Sequence, residues 1–379
     1  MPLVPKAEFQ EIAHSGGTVT FSVFAKQDGQ RAYQVKYTGC RPVKVVLIEI
    51  CAHYDGDRVA ALDFNEKPPV GWFPVTMASD SEGRFGHQCP ACNEYWRSGP
   101  WPTTCPYCRI RAHGLDFLTN AQRSYVQQWC QKLREALDQA ESADHVIDMD
   151  AVADAAGQEG EKPPFYYAEK SQQNQFNCTA CGEFNDILGK FGYCSSCSTR
   201  NDLQELEAKT LPQIRARINA GGPYEDCVKD AVAAFDTYTD QHVRQLVQLV
   251  PMTPARAARF TKMRFHNLQN VAKEMNSVFD IDVFGGIKPE DVDFATRMFH
   301  RRHVYEHKGG EADQKYILAS GDASVRLKQA LHETQESAHR LVSLVGKLAW
   351  NLHRGFHEIL PPVSERIDAY AKRQSVLDH

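Results

Sequence analysis

Alternating apolar and polar positions dominate the first part of the chain. Thr18–Phe24, Arg31–Tyr37 and Val43–Ile50 are each rich in β-branched or aromatic residues, and Asp28-Gly29 separates the first two runs with a turn signal. This period of two is typical of strands that bury one face. The pattern predicts a small β-rich N-terminal domain over residues 1–84, in which we identify no catalytic constellation.

A helical period replaces this alternation further along the chain. Thr119–Ala140 carries apolar residues at every fourth position, and Thr119 or Asn120 can cap its first turn. From residue 201 onwards the pattern is helical, and Thr253-Pro254 is a typical helix start. The predicted helices cover residues 202–219, 224–249, 254–276, 289–306 and 322–359. We therefore expect an all-α bundle over residues 201–379.

An acidic segment separates these regions. Residues 141–161 contain seven carboxylates and no lysine or arginine, and Pro163-Pro164 follows. Such a segment repels itself and buries little apolar surface. We expect residues 144–172 to form a flexible or weakly ordered linker.

Eight of the twelve cysteines form four Cys-x-x-Cys pairs. The pairs combine into two units with the same Cys-x2-Cys-x12-Cys-x2-Cys spacing, one within residues 85–143 and one within residues 173–200. Each pair can chelate one edge of a metal ion, and four thiolates leave no open coordination position. The spacing therefore predicts two zinc ribbons, each with one structural Zn²⁺ ion. The predicted ligands are Cys89, Cys92, Cys105, Cys108, Cys178, Cys181, Cys194 and Cys197.

The first ribbon combines basic and aromatic residues. Its basic residues are Arg97, Arg109 and Arg111, and its aromatic residues are Tyr95, Trp96, Trp101 and Tyr107. This combination suits base stacking and phosphate contacts in nucleic acids. The same aromatic residues could instead pack on neighbouring segments, which would make the ribbon a stapled spacer. The second ribbon is less basic, and the sequence leaves both interpretations open.

Composition and charge narrow the function classes. The chain is 42% hydrophobic and 24% charged, which excludes a collagen-like fibre and a wholly disordered chain. No apolar run approaches the roughly 18 residues of a membrane span, and the N-terminus lacks the apolar region of a signal peptide. We therefore expect a cytoplasmic protein without a membrane partner. The net charge of −5 excludes a uniformly basic nucleic-acid coat, but residues 256–273 carry five cations and no acid.

The densest group of ionisable residues lies in Phe299–Tyr316. Its centre is Arg302-His303-Val304-Tyr305-Glu306-His307, and Gly309-Gly310 and Asp313 follow. This segment resembles the arginine-polar-x3-histidine motif of the HEPN superfamily, whose helical domains occur in metal-independent ribonucleases of toxin and phage-defence systems. The resemblance covers the C-terminal helical region only. It implies that Arg302 and His307 are catalytic, that His303 is the polar residue of the motif, and that two copies of the motif face each other in a homodimer.

These residue types suit RNA cleavage without a metal ion. The reaction needs a base for the 2′-hydroxyl, an acid for the leaving 5′-oxygen and positive charge near the phosphorus. Histidine can transfer protons near neutral pH, and a planar guanidinium can hold two phosphate oxygens, which gives His307 and Arg302 their roles. Glu306 would repel RNA unless it points away or pairs with Lys308 or Arg301. A helix end rich in arginine and histidine can also be an ordinary solvated C-terminus that complements the helix dipole.

The sequence as a whole predicts a multidomain α+β protein. The expected segments are a β-rich domain (1–84), a zinc ribbon with a helix (85–143), an acidic linker (144–172), a second zinc ribbon (173–200) and a HEPN-like helical domain (201–379). The leading hypothesis is a metal-independent endoribonuclease of toxin or antiviral-defence type. It would act on RNA as a homodimer, with an antitoxin or other protein as a further partner. The alternative hypothesis is a non-catalytic nucleic-acid- or protein-binding zinc-ribbon protein that dimerises through its helical domain.

Overall fold

The protein is of mixed α+β class, as the sequence predicts, with small sheets in its N-terminal region and helices in its C-terminal region. The computed structural model describes residues 9–11, 17–25, 31–39, 46–61, 68–79, 82–139, 142–148, 151–152, 167–169 and 173–377. The chain divides into two compact units. The first unit is Met1–Ser198 together with Val363–His379, and the second, the helical unit, is Thr199–Pro362.

The strands of the described residues all lie in the first unit. They are β1 (Phe9–Glu11), β2 (Gly17–Ala25), β3 (Arg31–Gly39), β4 (Leu47–His53), β5 (Val59–Ala61), β6 (Trp72–Ala78), β7 (Phe85–Gln88), β8 (Tyr95–Ser98), β9 (Ala143–Asp148), β10 (Tyr167–Glu169), β11 (Gln173–Asn177) and β12 (Phe184–Leu188). They form four sheets, with strand orders β3-β2-β9, β5-β4-β6, β11-β12-β8-β7 and β1-β10. The paired strands are antiparallel, including β2 with β3 and β4 with β6.

The helices are named in chain order. They are α1 (Asn120–Asp138), α2 (Asp202–Glu205), α3 (Leu211–Asn219), α4 (Tyr224–Leu249), α5 (Pro254–Thr261), α6 (Leu268–Phe279), α7 (Pro289–His307), α8 (Gln314–Ser320), α9 (Gln335–Ile359) and α10 (Ser364–Leu377). A short 3-10 helix covers Gly114–Phe117, and a π-helical turn at Leu206–Thr210 joins α2 to α3.

The core of the first unit forms where α1 packs on the N-terminal strands. Thr119 caps α1 as the sequence predicts, because its side chain accepts a hydrogen bond from the Gln122 N–H. Trp129 on the apolar face of α1 is fully buried in one cluster with Phe21 of β2 and Ile50 of β4. The four-residue apolar spacing of α1 thus serves to cover the sheet residues that the alternating pattern places inward.

The acidic segment begins with a strand rather than with the expected linker. Ala143–Asp148 forms β9 and pairs with β2 along its length. Ile147 is buried, whereas Asp144 and Asp148 face solvent, so the acids occupy the outer positions of an alternating strand. Residues 149–150, 153–166 and 170–172 of the predicted linker lie outside the described residues, as does the predicted turn at Asp28-Gly29.

The helical unit is built around the long helices α4 and α9. Both helices carry buried residues, such as Phe235 and Leu348, and the Tyr238 hydroxyl of α4 donates to the Ala349 carbonyl of α9 at 2.9 Å. Two helices are shorter than the sequence pattern predicts. The expected helix 254–276 is interrupted after α5, because Asn267 caps a new helix α6, and the expected helix 322–359 starts only at α9, whose capping box is Thr334 and Ser337.

The C-terminal helix α10 belongs to the first unit and not to the helical unit. Ile367 and Tyr370 pack against the cysteine cluster of the second ribbon, and the Val363 N–H donates to the Cys197 carbonyl at 2.8 Å. The polypeptide therefore returns to the first unit after completing the helical unit.

Candidate functional site

Two clusters of four cysteines lie in the first unit, as the sequence spacing predicts. In the first cluster, Cys89 and Cys108 have Sγ atoms 3.6 Å apart and Cys92 and Cys105 have Sγ atoms 3.7 Å apart. In the second cluster the corresponding separations are 3.6 Å for Cys178 and Cys197 and 3.5 Å for Cys181 and Cys194. Four thiolates about 2.3 Å from a tetrahedral Zn²⁺ would lie about 3.8 Å from one another. Both clusters therefore fit zinc and leave no coordination position for a substrate.

The backbone around the two clusters repeats the same turns. The Asn93 N–H donates to the Cys89 carbonyl at 2.9 Å, and the Gly182 N–H donates to the Cys178 carbonyl at 2.7 Å. Both residues have left-handed backbones, with φ of 61° and 73°. Asparagine and glycine are the residues that adopt this conformation at lowest cost. The repeated sequence spacing thus corresponds to a repeated local geometry.

The two ribbons are joined into one body. Strands β8 and β12 pair through Arg97 and Ser98 at the end of β8, so that the hairpins of both ribbons share a four-stranded sheet. The Arg97 guanidinium, 2% exposed, lies 3.0 Å from the buried Asp186 carboxylate across this junction. The Gly99 N–H donates to Glu183, and the Tyr193 N–H donates to the Pro106 carbonyl.

This junction uses residues that the sequence offered as a nucleic-acid surface. Trp96 is 1% exposed and packs on Phe117. The Tyr107 hydroxyl donates to the Tyr95 carbonyl at 2.8 Å and accepts from the Leu188 N–H at 2.9 Å. Together with the buried Arg97, these contacts favour the spacer interpretation for this part of the first ribbon. Arg111 remains exposed.

The motif residues Arg302, His303 and His307 occupy the C-terminal end of α7. The rings of His303 and His307 contact each other edge to face, with centroids 4.8 Å apart, one helical turn from each other. The Arg302 Nη2 atom lies 2.7 Å from Glu306, whose carboxylate is also 3.8 Å from the His307 Nε2 atom. Glu306 therefore pairs with Arg302 itself, rather than with Lys308 or Arg301.

The end of α7 is fixed by the residues that follow the motif. Gly309 and Gly310 have φ of 61° and 85°, which is the left-handed conformation that terminates helices. The Gly310 N–H donates a hydrogen bond to the Val304 carbonyl. Asp313 caps α8 by accepting from the Tyr316 N–H at 2.8 Å. These residues thus hold His307 at an exposed helix end, with half of its side chain accessible.

Arg301 and Arg302 have different surroundings although they are adjacent. Arg301 donates to the Tyr316 hydroxyl at 3.1 Å and lies 3.0 Å from both the Glu333 and the Asp322 carboxylates, which are buried. This network ties α7 to the loop before α9. Arg301 is therefore a structural residue, whereas Arg302 pairs with Glu306 within the motif.

An open cleft of about 460 Å³ lies between α4 and the loop that connects α5 to α6. Its lining residues are Asp236, Thr237, Asp240, Arg244, Met263, Arg264, Phe265 and His266. The Asp236 carboxylate on α4 and the buried Phe265 of the loop both line this cleft. Burial raises the pKa of Asp236, and the positive charges of His266 and Arg302 oppose that rise. The cleft wall is therefore in electrostatic contact with the motif.

The sequence pattern does not single out His266 and Asp236. They come from different elements, and neither belongs to a recognisable spacing pattern. The only available signal was the position of His266 within the basic segment 256–273.

Comparisons of the chain with protein-family models, with curated proteins and with solved structures find no match. Among the described helices, none contains a stretch that is long and apolar enough to cross a membrane.

Proposed function

We propose that the helical unit is a metal-independent endoribonuclease. The observation that carries this proposal is the grouping of Arg302, His303 and His307 at one exposed helix end, in electrostatic contact with an open cleft. A guanidinium and imidazoles are the groups that phosphodiester transfer requires in the absence of a metal ion. The resemblance of the motif to HEPN ribonucleases supports the same reaction, and with it a toxin or antiviral-defence role and a homodimer in the cytoplasm.

In the proposed reaction, Arg302 binds the non-bridging phosphate oxygens and stabilises the charge of the pentacovalent transition state. His307 transfers a proton, and His303 positions His307 through the ring contact between them. Attack by the RNA's own 2′-hydroxyl gives a 2′,3′-cyclic phosphate and a 5′-hydroxyl. RNA is therefore the substrate class, since DNA lacks the nucleophile.

The charge near the motif supports a phosphate-containing substrate. Arg264 lines the cleft, where Arg244 forms an ion pair with Asp240, and Arg256 and Lys262 are exposed on the adjoining α5 segment. Arg259 forms an ion pair with Glu274. A group of exposed cations in a chain of net charge −5 attracts polyanions locally and gives binding that weakens with salt.

The ion pair between Arg302 and Glu306 is compatible with this role. The Arg302 side chain is 16% exposed and that of Glu306 is 40% exposed, and an ion pair with one solvent-exposed partner typically contributes about 1 kcal/mol. A bidentate arginine–phosphate contact is stronger than such a pair. A bound phosphate can therefore displace Glu306 from Arg302.

The experiment is incubation of the purified protein with total RNA in EDTA, together with Arg302→Ala and His307→Ala variants. We expect cleavage by the wild-type protein and a loss of about 100- to 1000-fold in each variant, because each removes one oriented catalytic group. Undiminished cleavage by both variants would assign the activity to another site.

We further propose that each cysteine cluster holds one structural Zn²⁺ ion. The support is the match between the Sγ separations and a tetrahedral thiolate site. Metal analysis of protein purified without chelator should give two zinc ions per chain. A stoichiometry near zero, or disulfides within the pairs, would contradict the proposal.

The second candidate function is that of a non-catalytic nucleic-acid- or protein-binding protein. The Arg302–Glu306 ion pair favours it, because a carboxylate on the motif arginine competes with phosphate. This candidate predicts RNA or protein binding without cleavage, so the same incubation separates the two.

A further inference from the structure

His266 lines the cleft between α4 and the loop that connects α5 to α6. It is half-buried, and it follows Phe265, which is buried. The imidazole lines the open cleft together with Asp236 of α4.

The elements on both sides of His266 pack on α7 close to the motif. Phe235, adjacent to Asp236 on α4, contacts Phe299 of α7 with ring centroids 5.5 Å apart. Arg302 follows Phe299 by about one helical turn. On the other side of the loop, Gln269 of α6 donates to Thr296 of α7 at 3.1 Å. Two independent contacts therefore bring the cleft wall to the motif helix.

The charged and titratable groups around His266 are Asp236 of α4, Arg264 of its own loop, and Arg302, His303 and Glu306 of α7. Burial lowers the pKa of His266, and the two arginines lower it further, whereas Asp236 and Glu306 act in the opposite direction. At neutral pH the imidazole is therefore neutral and able to accept a proton.

We propose that His266 is the second proton-transfer residue of the nuclease site, with Asp236 as a neighbouring carboxylate in the same cleft, so that one copy of the chain holds a complete set of reacting groups. This proposal rests on the proposed ribonuclease function. It differs from a site shared between two subunits, because His266, Arg302 and His307 all belong to the same helical unit.

The proposed step transfers two protons. The neutral His266 imidazole takes the proton of the 2′-hydroxyl while the O2′–P bond forms. The P–O5′ bond breaks, and the leaving O5′ takes a proton from His307, which lies 3.8 Å from the Glu306 carboxylate. The step ends with His266 protonated, His307 neutral, and a 2′,3′-cyclic phosphate and a 5′-hydroxyl as products. Proton exchange with water then restores both histidines.

The test measures kcat/KM against pH on a defined single-stranded RNA in EDTA for His266→Ala, His266→Gln and Asp236→Asn. In each His266 variant, kcat/KM should fall by about 100- to 1000-fold. The decrease of kcat/KM at low pH, which reflects protonation of the base, should disappear from the profile. Asp236→Asn should lose less activity and shift that decrease to lower pH, since removal of the carboxylate makes His266 harder to protonate. A merely structural role of Asp236 would leave the decrease in place.

The matched control is His300→Ala. His300 is half-buried on α7, but only burial lowers its pKa, and it does not line the cleft. This variant should keep the wild-type rate and profile. His266→Gln preserves the size and polarity of the side chain and decides the result if His266→Ala lowers the thermal unfolding temperature.

The outcomes separate this proposal from the proposed function. Wild-type rate and pH profile in His266→Gln, together with inactive Arg302→Ala and His307→Ala, would overturn the role of His266 and leave the ribonuclease standing. Recovery of activity on mixing His266→Ala chains with His307→Ala chains would also overturn it, because a site complete within one copy cannot be rebuilt from two defective copies. A wild-type protein that cleaves no RNA would overturn both proposals.

Discussion

At the scale of single residues, the two neighbouring arginines of α7 have opposite tasks. Arg301 lies between the carboxylates of Asp322 and Glu333, which are 6% and 1% exposed. Arg302 pairs with the exposed Glu306, in the i,i+4 geometry of a helix. Removal of Arg301 leaves two buried charges without a counter-charge, whereas removal of Arg302 does not.

We therefore expect Arg301→Ala to lower the free energy of unfolding of the helical unit by about 3–5 kcal/mol, as is typical of broken buried ion pairs. Arg302→Ala should lower it by about 1 kcal/mol or less. Urea denaturation followed by circular dichroism measures both. Equal effects of the two substitutions would contradict the assignment of Arg301 to the structure and Arg302 to the site.

Buried histidines give the helical unit a dependence on pH. His242 and His353 lie side by side, with ring centroids 5.9 Å apart. Burial, followed by the charge of His357, lowers the pKa of His353 to about 2, and burial lowers that of His242 well below its usual range. Below a pH of about 6.5 the unfolded chain takes up protons that the folded chain does not. Stability therefore falls as the pH decreases.

Each such histidine should contribute about 1.4 kcal/mol per pH unit to this loss. His353→Leu should reduce the pH dependence of the unfolding free energy between pH 6 and pH 4 by about that amount per unit. His332→Gln is the control, because His332 is 82% exposed. An unaltered slope in His353→Leu would show that His353 is protonated in the folded protein.

The sequence could predict part of the candidate site. The sequence predicts Arg302, His303 and His307 because they lie within one helix and follow a known spacing. It does not predict Asp236 and His266, because these residues come from another helix and a loop that only the fold places beside the cleft. The predicted partners of Glu306, Lys308 and Arg301, were also wrong. The i,i+4 geometry of the helix favours Arg302 instead.

At the scale of elements, the cysteine spacing predicted two clusters but not their union. A pair of Cys-x-x-Cys units determines its own local fold, whereas the pairing of β8 with β12 depends on contacts across about 90 residues of sequence. Gly182 shows how tightly the second ribbon is then covered. Its backbone is left-handed, and a Cβ there would overlap the Tyr370 ring of α10, 2.8 Å from the Cδ2 and Cζ atoms.

Gly182→Ala should therefore destabilise the first unit more than Gly189→Ala. Both residues have left-handed backbones, with φ of 73° and 83°, so each substitution should cost about 1–2 kcal/mol of backbone strain. Gly189 has open space around it, whereas Gly182 should lose a further 1–3 kcal/mol or so by overpacking against Tyr370. Thermal unfolding of the zinc-loaded variants makes the comparison, and equal shifts would show that α10 does not cover this turn.

At the scale of the whole molecule, local sequence patterns predicted where helices and strands form. They did not predict how the chain divides into its two compact units. The helical period assigns residues 201–379 to one domain, yet α10 belongs to the first unit, because Ile367 and Tyr370 complete the apolar cluster around the second ribbon. No local pattern distinguishes a helix that packs on its neighbours in sequence from one that packs on a distant ribbon.

The central claim is that the helical unit cleaves RNA through the RNA's own 2′-hydroxyl and without a metal ion in the reaction. The most direct measurement compares, in EDTA, a short RNA with a single mapped cleavage position and the same RNA with one 2′-deoxy nucleotide on the 5′ side of that position. We expect cleavage of the first RNA, with a 2′,3′-cyclic phosphate at the new end, and an intact second RNA at that position. Cleavage of the 2′-deoxy RNA at the same position, or 3′-hydroxyl and 5′-phosphate ends, would contradict the claim.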